Sequence, residues 1–122
     1  MKLRFRGNSL RLRVNQREVQ TLAAGIPVNE RVIFPGNAGL EYVLVPSSDS
    51  AAQVSFDGGT IRVAAPDQRL ADWANGQDIG LYFDFPAGSV TLKVAIEKDL
   101  ECVDGPLEER DPEAFPRSGK NC

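Results

Sequence analysis

The chain has no histidine. Histidine-based acid/base catalysis, Ser-His-Asp chemistry and histidine-rich zinc sites are therefore excluded. Of its two cysteines, Cys102 and Cys122, neither has a histidine to activate it or a second cysteine at metal-ligand spacing, so both read as reduced and incidental. No apolar run approaches the roughly 20 residues of a membrane helix, and arginines interrupt the first residues where a signal peptide would carry its apolar stretch. A cytoplasmic location without membrane contact is the expectation. Asp57-Gly58-Gly59 lacks the Lys-Ser/Thr ending of a phosphate loop and reads as a hairpin turn. Acidic side chains are also missing from the start of the chain, where Lys2, Arg4, Arg6, Arg11, Arg13 and Arg17 all precede the first carboxylate, Glu18.

What the sequence does contain is alternation. In Lys2 to Arg6, Leu3 and Phe5 alternate with Lys2, Arg4 and Arg6; in Ser9 to Val14, Leu10, Leu12 and Val14 alternate with Arg11 and Arg13. Period two marks strands with one buried and one wet face, and Gly7-Asn8 between them supplies a tight turn. The resulting hairpin places Lys2, Arg4, Arg6, Arg11 and Arg13 on one solvent face, where like charges on neighbouring strands repel unless something anionic covers them. Asn15 and Glu18 have capping-box spacing, and Val19, Leu22 and Ala23 form one face of a short helix from Asn15 to Ala24, stopped by Gly25. Strands over Val28 to Phe34 and Leu40 to Val45 follow, then a polar loop from Pro46 to Ala51.

Sliding the chain over itself by 51 residues repeats the pattern. Phe5 falls on Phe56, Gly7 on Gly58, Leu10 on Ile61, Leu22 on Trp73, Gly25 on Gly76, Val28 on Ile79 and Pro35 on Pro86, which reads as a duplication. The second unit then has a hairpin (Gln53 to Phe56, Thr60 to Ala65), a helix (Asp67 to Asn75) with Trp73 in the core, and strands Ile79 to Phe85 and Val90 to Glu97. The expected fold is α+β and mostly antiparallel. Two ββαββ units related by a pseudo-twofold form an eight-stranded barrel or two-sheet sandwich with two short helices. A single domain is expected over residues 1–100, with repeats at about 2–46 and 53–97, followed by an acidic, proline-containing tail over 101–122 that docks only if Phe115 or its carboxylates find a partner.

Gly7 to Arg13 (Gly-Asn-Ser-Leu-Arg-Leu-Arg), Glu97 to Cys102 (Glu-Lys-Asp-Leu-Glu-Cys) and the acidic stretch closing in Ala114-Phe115-Pro116 resemble a family of small bacterial proteins of unknown function. That family commonly ends in Asp-Ala-Phe-Pro-Asn-Pro, where this chain has Glu113-Ala114-Phe115-Pro116-Arg117. The resemblance brings no activity; it implies a stand-alone bacterial protein to which the tail belongs.

The charge distribution is the functional lead. Only the first unit is strongly basic, since Arg4, Arg6 and Arg13 match Ser55, Asp57 and Ala64 in the second, so the shared fold does not require those charges. The reading is a non-enzymatic binding module whose basic face, Lys2, Arg4, Arg6, Arg11 and Arg13, meets an acidic protein or the chain's own tail. A net charge of −3 disfavours a general polyanion binder, and no aromatic interleaves with the arginines to stack nucleic-acid bases. Free sheet edges would allow a homodimer. The alternative is a metal-dependent phosphohydrolase similar to the triphosphate tunnel enzymes, although Lys2-Leu3-Arg4-Phe5-Arg6 stands where they carry Glu-x-Glu-x-Lys. Glu30 with Glu41, and Glu97 with Asp99 and Glu101, are carboxylate groupings that read as solvated surface. Neither metal nor other cofactor is expected.

Overall fold

A computed structural model describes residues 1–100 together with Glu113 and Phe115; Cys102, Cys122 and the rest of the expected tail lie outside the described residues. Strands β1 (Lys2–Arg6) and β2 (Ser9–Val14) form the first hairpin, with Lys2 opposite Arg13 and Arg6 opposite Ser9. The turn needs a residue in the left-handed region, and Gly7 supplies it at φ 55°. Helix α1 (Gln16–Ala23) opens on a complete capping box: Glu18 N donates to Asn15 Oδ1 at 2.9 Å, and Asn15 N donates to Glu18 Oε1 at 3.0 Å. Strands β3 (Val28–Phe34) and β4 (Ala38–Ser47) complete the first half. Strands β5 (Gln53–Asp57) and β6 (Thr60–Pro66), helix α2 (Asp67–Asn75), and strands β7 (Gly80–Ala87) and β8 (Val90–Lys98) make the second.

The eight strands form two four-stranded sheets, ordered β1-β2-β8-β7 and β5-β6-β4-β3. Each sheet takes its first hairpin from one half of the chain and its other two strands from the other half. The hairpin pairings are antiparallel, while the central pairings β2–β8 and β4–β6 are parallel. Leu10, Leu12 and Val14 of β2 lie level with Val94, Ile96 and Lys98 of β8, so the inward faces of both halves join in one core. Leu12, Leu22, Leu44, Leu70 and Ile96 are fully buried there, each contributing about 1.5–3 kcal/mol relative to exposure. Helices α1 and α2 pack on each other at the end where β2 and β6 finish; the four hairpin turns lie at the opposite end.

The helices and strands fall where the periodicity puts them, with differences at two prolines. Strand β4 continues through Pro46 to Ser47, because beyond the Val28–Leu44 pair it has only β6 as a neighbour and the missing N–H of Pro46 costs no bond to β3. Pro86 lies within β7, an edge strand, whereas Pro35 falls in a turn, so the expected match of the two prolines does not hold. The match slips because α2 has nine residues where α1 has eight, and because the core position falls on the second residue of β7 but on the first of β3. Val28, paired with the core residue Leu44, has its counterpart at Leu81, paired with Ile96, two residues beyond Ile79.

The Met1 amino group ties the helix end together, donating to Glu18 Oε2 at 2.6 Å and to Glu30 Oε1 at 3.0 Å. Partial burial acts to lower its pKa, but the hydrogen bonds to Glu18 and Glu30 and the charges of the two carboxylates outweigh this and hold it above the ordinary 8.0. A raised folded-state pKa means stability that is full below pH 8.0 and lost as pH rises through the folded value. Denaturation midpoints of this chain are expected to fall from about pH 8 upward, and acetylation of Met1 should abolish that step.

Candidate functional site

The outward face of the β1-β2-β8-β7 sheet is ordered in rows by its register. Lys2, Arg13, Glu97 and Gly80 form one row; Arg4, Arg11, Ala95 and Tyr82 the next; Arg6, Ser9, Lys93 and Asp84 the third. All five basic residues expected on this face are on it, and Lys93 joins them from β8. The face that reads as like-charge repulsion in the hairpin alone therefore has an internal counter-ion. Glu97 Oε1 lies 3.0 Å from Arg11 Nε and 3.8 Å from Arg13 Nε, and Glu97 Oε2 accepts from the Tyr82 hydroxyl at 2.8 Å. Partial burial, then the hydrogen bond and charge of Glu97, raise the Tyr82 pKa against the opposing effect of Arg11. Lys2 Nζ reaches Asp99 Oδ2 at 2.7 Å. Arg4 and Arg6 are exposed and have no ion pair among the described residues.

Three acids, Asp84, Glu97 and Asp99, thus stand against six cations. The face is not flat. Ser9 and Ala95 are short, and Arg11, Tyr82, Asp84 and Lys93 rise around them to enclose a depression of about 320 Å³. Tyr82 is 59% exposed and shares a row with Arg4 and Arg11, so an aromatic does stand among the arginines, supplied by β7 rather than by their own hairpin. Sequence reasoning missed Lys93 and Tyr82 because both come from the far end of the chain. Their outward alternation in β7 and β8 was visible, but the parallel β2–β8 pairing that delivers them was not.

Glu97, Lys98 and Asp99 join this face to the helix end. Alternation along Val90, Leu92, Val94 and Ile96 continues to Lys98, which points inward and is only 7% exposed. Its ammonium donates to the Gly76 carbonyl at 3.1 Å and lies 5.7 Å from the Trp73 ring and 5.4 Å from the Phe115 ring. Asp99 N donates to Val14 O at 2.8 Å, and Phe115 N donates to Asp99 O, forming a parallel bridge of Leu100 with Phe115. Phe115 packs against the core. Gln16 N donates to Glu113 O at 2.7 Å, and Arg17 Nη2 lies 3.5 Å from Glu113 Oε1. The described tail residues accordingly sit against α1 and Lys98, not over the arginine rows. The Gly7 to Arg13 motif and the described start of the Glu97 to Cys102 motif are direct neighbours, through Arg11, Arg13 and Glu97.

Glu30 and Glu41 do not approach each other: Glu30 holds Met1 on the inward side of its strand, while Glu41 lies opposite Arg31 in the strand register on the outward side and accepts from Asn29. Among the described residues no cluster of three or more possible ligands could hold a metal ion, and no helix is long and apolar enough to cross a membrane. No curated protein and no solved structure matches the chain. A family model described as a family of unknown function, DUF7009, matches residues 1–118, a span that takes in both sheets, the basic face and Phe115, and the chain belongs to that family.

Proposed function

We propose that the protein is a non-enzymatic binding module of the cytoplasm, built from two repeated units, whose basic sheet face takes an acidic surface of another protein. The observation that carries this reading is the cation excess of that face: Arg4 has no ion pair among the described residues, and Lys93 adds a charge that the hairpin alone does not have. Internal pairing of Arg11 and Arg13 by Glu97 favours an outside partner over the tail, since Glu113 and Phe115 are engaged elsewhere. Fixed by the sheet, such cations form a preordered surface, which raises encounter rates and selects against basic partners. The phosphohydrolase reading would need free arginines and glutamates directed between the sheets; the described core there is apolar, and the inward Glu30 and Lys98 are engaged with Met1 and Gly76, which favours the binding reading.

The test is binding of fluorescent poly-L-glutamate. The chain should bind at low ionic strength, and the variant Arg4→Glu/Lys93→Glu, with Arg6 left in place, should bind roughly tenfold more weakly, about 1.4 kcal/mol. Binding should fade as salt shortens the screening length to a few ångströms. Equal binding by the variant would reject the site, and preferential competition by a single-stranded oligonucleotide would move the partner class to nucleic acid, with Tyr82 as its stacking platform.

A further inference from the structure

Among the described residues nothing covers the end of the molecule opposite the helices. By strand alternation Phe5, Val32, Phe34, Phe56 and Val90 lie on the core-facing side of their strands, yet the core does not cover them: Phe5 is 60% and Phe56 72% exposed. Between them the sheets part to leave a cleft of about 450 Å³, walled by Phe5, Leu10, Leu40, Phe56, Ile61 and Leu92 among others. Exposed apolar surface gathered in this way marks an interaction site. Two of the hairpin turns are tied to the neighbouring strand of their own sheet, Lys93 N donating to Asn8 O at 3.2 Å and Glu41 N to Gly59 O at 2.9 Å, so each lip of the cleft is held in place and little ordering is lost on docking.

Charge identifies the occupant. Phe5 and Phe56 hold matching positions in β1 and β5, opposite Leu10 and Ile61, and the next residue is Arg6 in one strand and Asp57 in the other. Both end their strands, both are exposed, and neither has an ion pair among the described residues. Both alternate to the outward side of these strand ends, so the outer rim of the open end carries a positive charge beside Phe5 and a negative one at the matching place beside Phe56. We propose that the open end is a homodimer interface, closed by a second copy of this chain seated end to end. A twofold axis perpendicular to the one relating the two hairpins sets Arg6 against Asp57 of the second copy and Asp57 against Arg6 of the second copy, as an isologous contact requires, while the phenylalanines bury each other. A small apolar ligand fits less well, because Ser55 is the one polar residue among the described residues lining the cleft and ligand sites hold several convergent polar groups.

The test is sedimentation equilibrium of the full chain. A dimer is expected, and Arg6→Asp and Asp57→Arg should each weaken it at least roughly tenfold, since each makes two like-charge contacts. An equimolar mixture of the two single variants should recover a heterodimer of wild-type affinity, and so should the double variant Arg6→Asp/Asp57→Arg. Recovery on mixing cannot come from misfolded chains, so loss of fold is separated from loss of the interface. A chain that stays monomeric at about 1 mM, or a dimer indifferent to both reversals, overturns the proposal. Uptake of dodecanoate by a monomer would also overturn it and assign the cleft to a small ligand.

Discussion

Replacing Trp73 with alanine is expected to remove about 4 kcal/mol of stability, a large part of the 5–15 kcal/mol typical of a domain. Trp73 is 3% exposed on the inner face of α2. Its indole N–H donates to the Ile79 carbonyl at 3.0 Å, fixing the entry to β7, and its ring lies 5.7 Å from the buried Lys98 ammonium. The alanine variant loses the packing, the hydrogen bond and one of the two aromatic faces beside that charge at once. Trp73→Phe keeps most of the apolar area and should cost about 1–2 kcal/mol. Trp73 is the only tryptophan, so urea unfolding followed by circular dichroism is the appropriate measurement. A loss below about 1.5 kcal/mol for the alanine variant would mean that the residue does not hold the helix to the core.

Phe115→Ala is expected to cost about 2 kcal/mol, a fall in melting temperature of roughly 8 °C, with little dependence on salt. Phe115 is half-buried against the core, forms the bridge to Leu100 and covers Lys98; the first two are apolar and backbone contacts, and the third is to a buried ammonium that salt screens little. Glu113→Gln should cost only a few tenths of a kcal/mol, since its partner Arg17 is 78% exposed at 3.5 Å. The opposite ranking, or a Phe115→Ala loss that vanishes in high salt, would show that the carboxylates rather than the aromatic ring hold the tail.

Local chemistry made the fold readable element by element. The Asn15–Glu18 box starts α1 as its spacing demands, the Gly7-Asn8 turn closes the first hairpin, and Leu12, Leu22 and Leu70 are buried where period two or period 3.6 places them. The parallel β2–β8 and β4–β6 pairings were not readable, because no turn or local pattern chooses which hairpin strand meets which partner across the two halves. Glu97 and Asp99 consequently read as solvated surface, although Glu97 is the counter-ion of the arginines, Asp99 is the dock for Lys2 and Phe115, and Lys98 between them is a buried ammonium. Lys98 had a usable signal, since it continues the inward alternation of β8. The five predicted basic residues were correctly grouped because a hairpin fixes its own register; Lys93 and Tyr82 escaped because only tertiary pairing brings them to that face.

The most direct measurement is a proton–nitrogen correlation map of the full chain titrated with poly-L-glutamate. If the basic sheet face is the binding surface, the amides of Arg4, Arg11, Tyr82 and Lys93 shift together and saturate in parallel, while those of Asn29, Val43 and Arg62 on the outward face of the other sheet stay still. Shifts confined to α1 and the segment around Phe115, or spread evenly over both sheets, would contradict the account and leave the arginines as solvated surface.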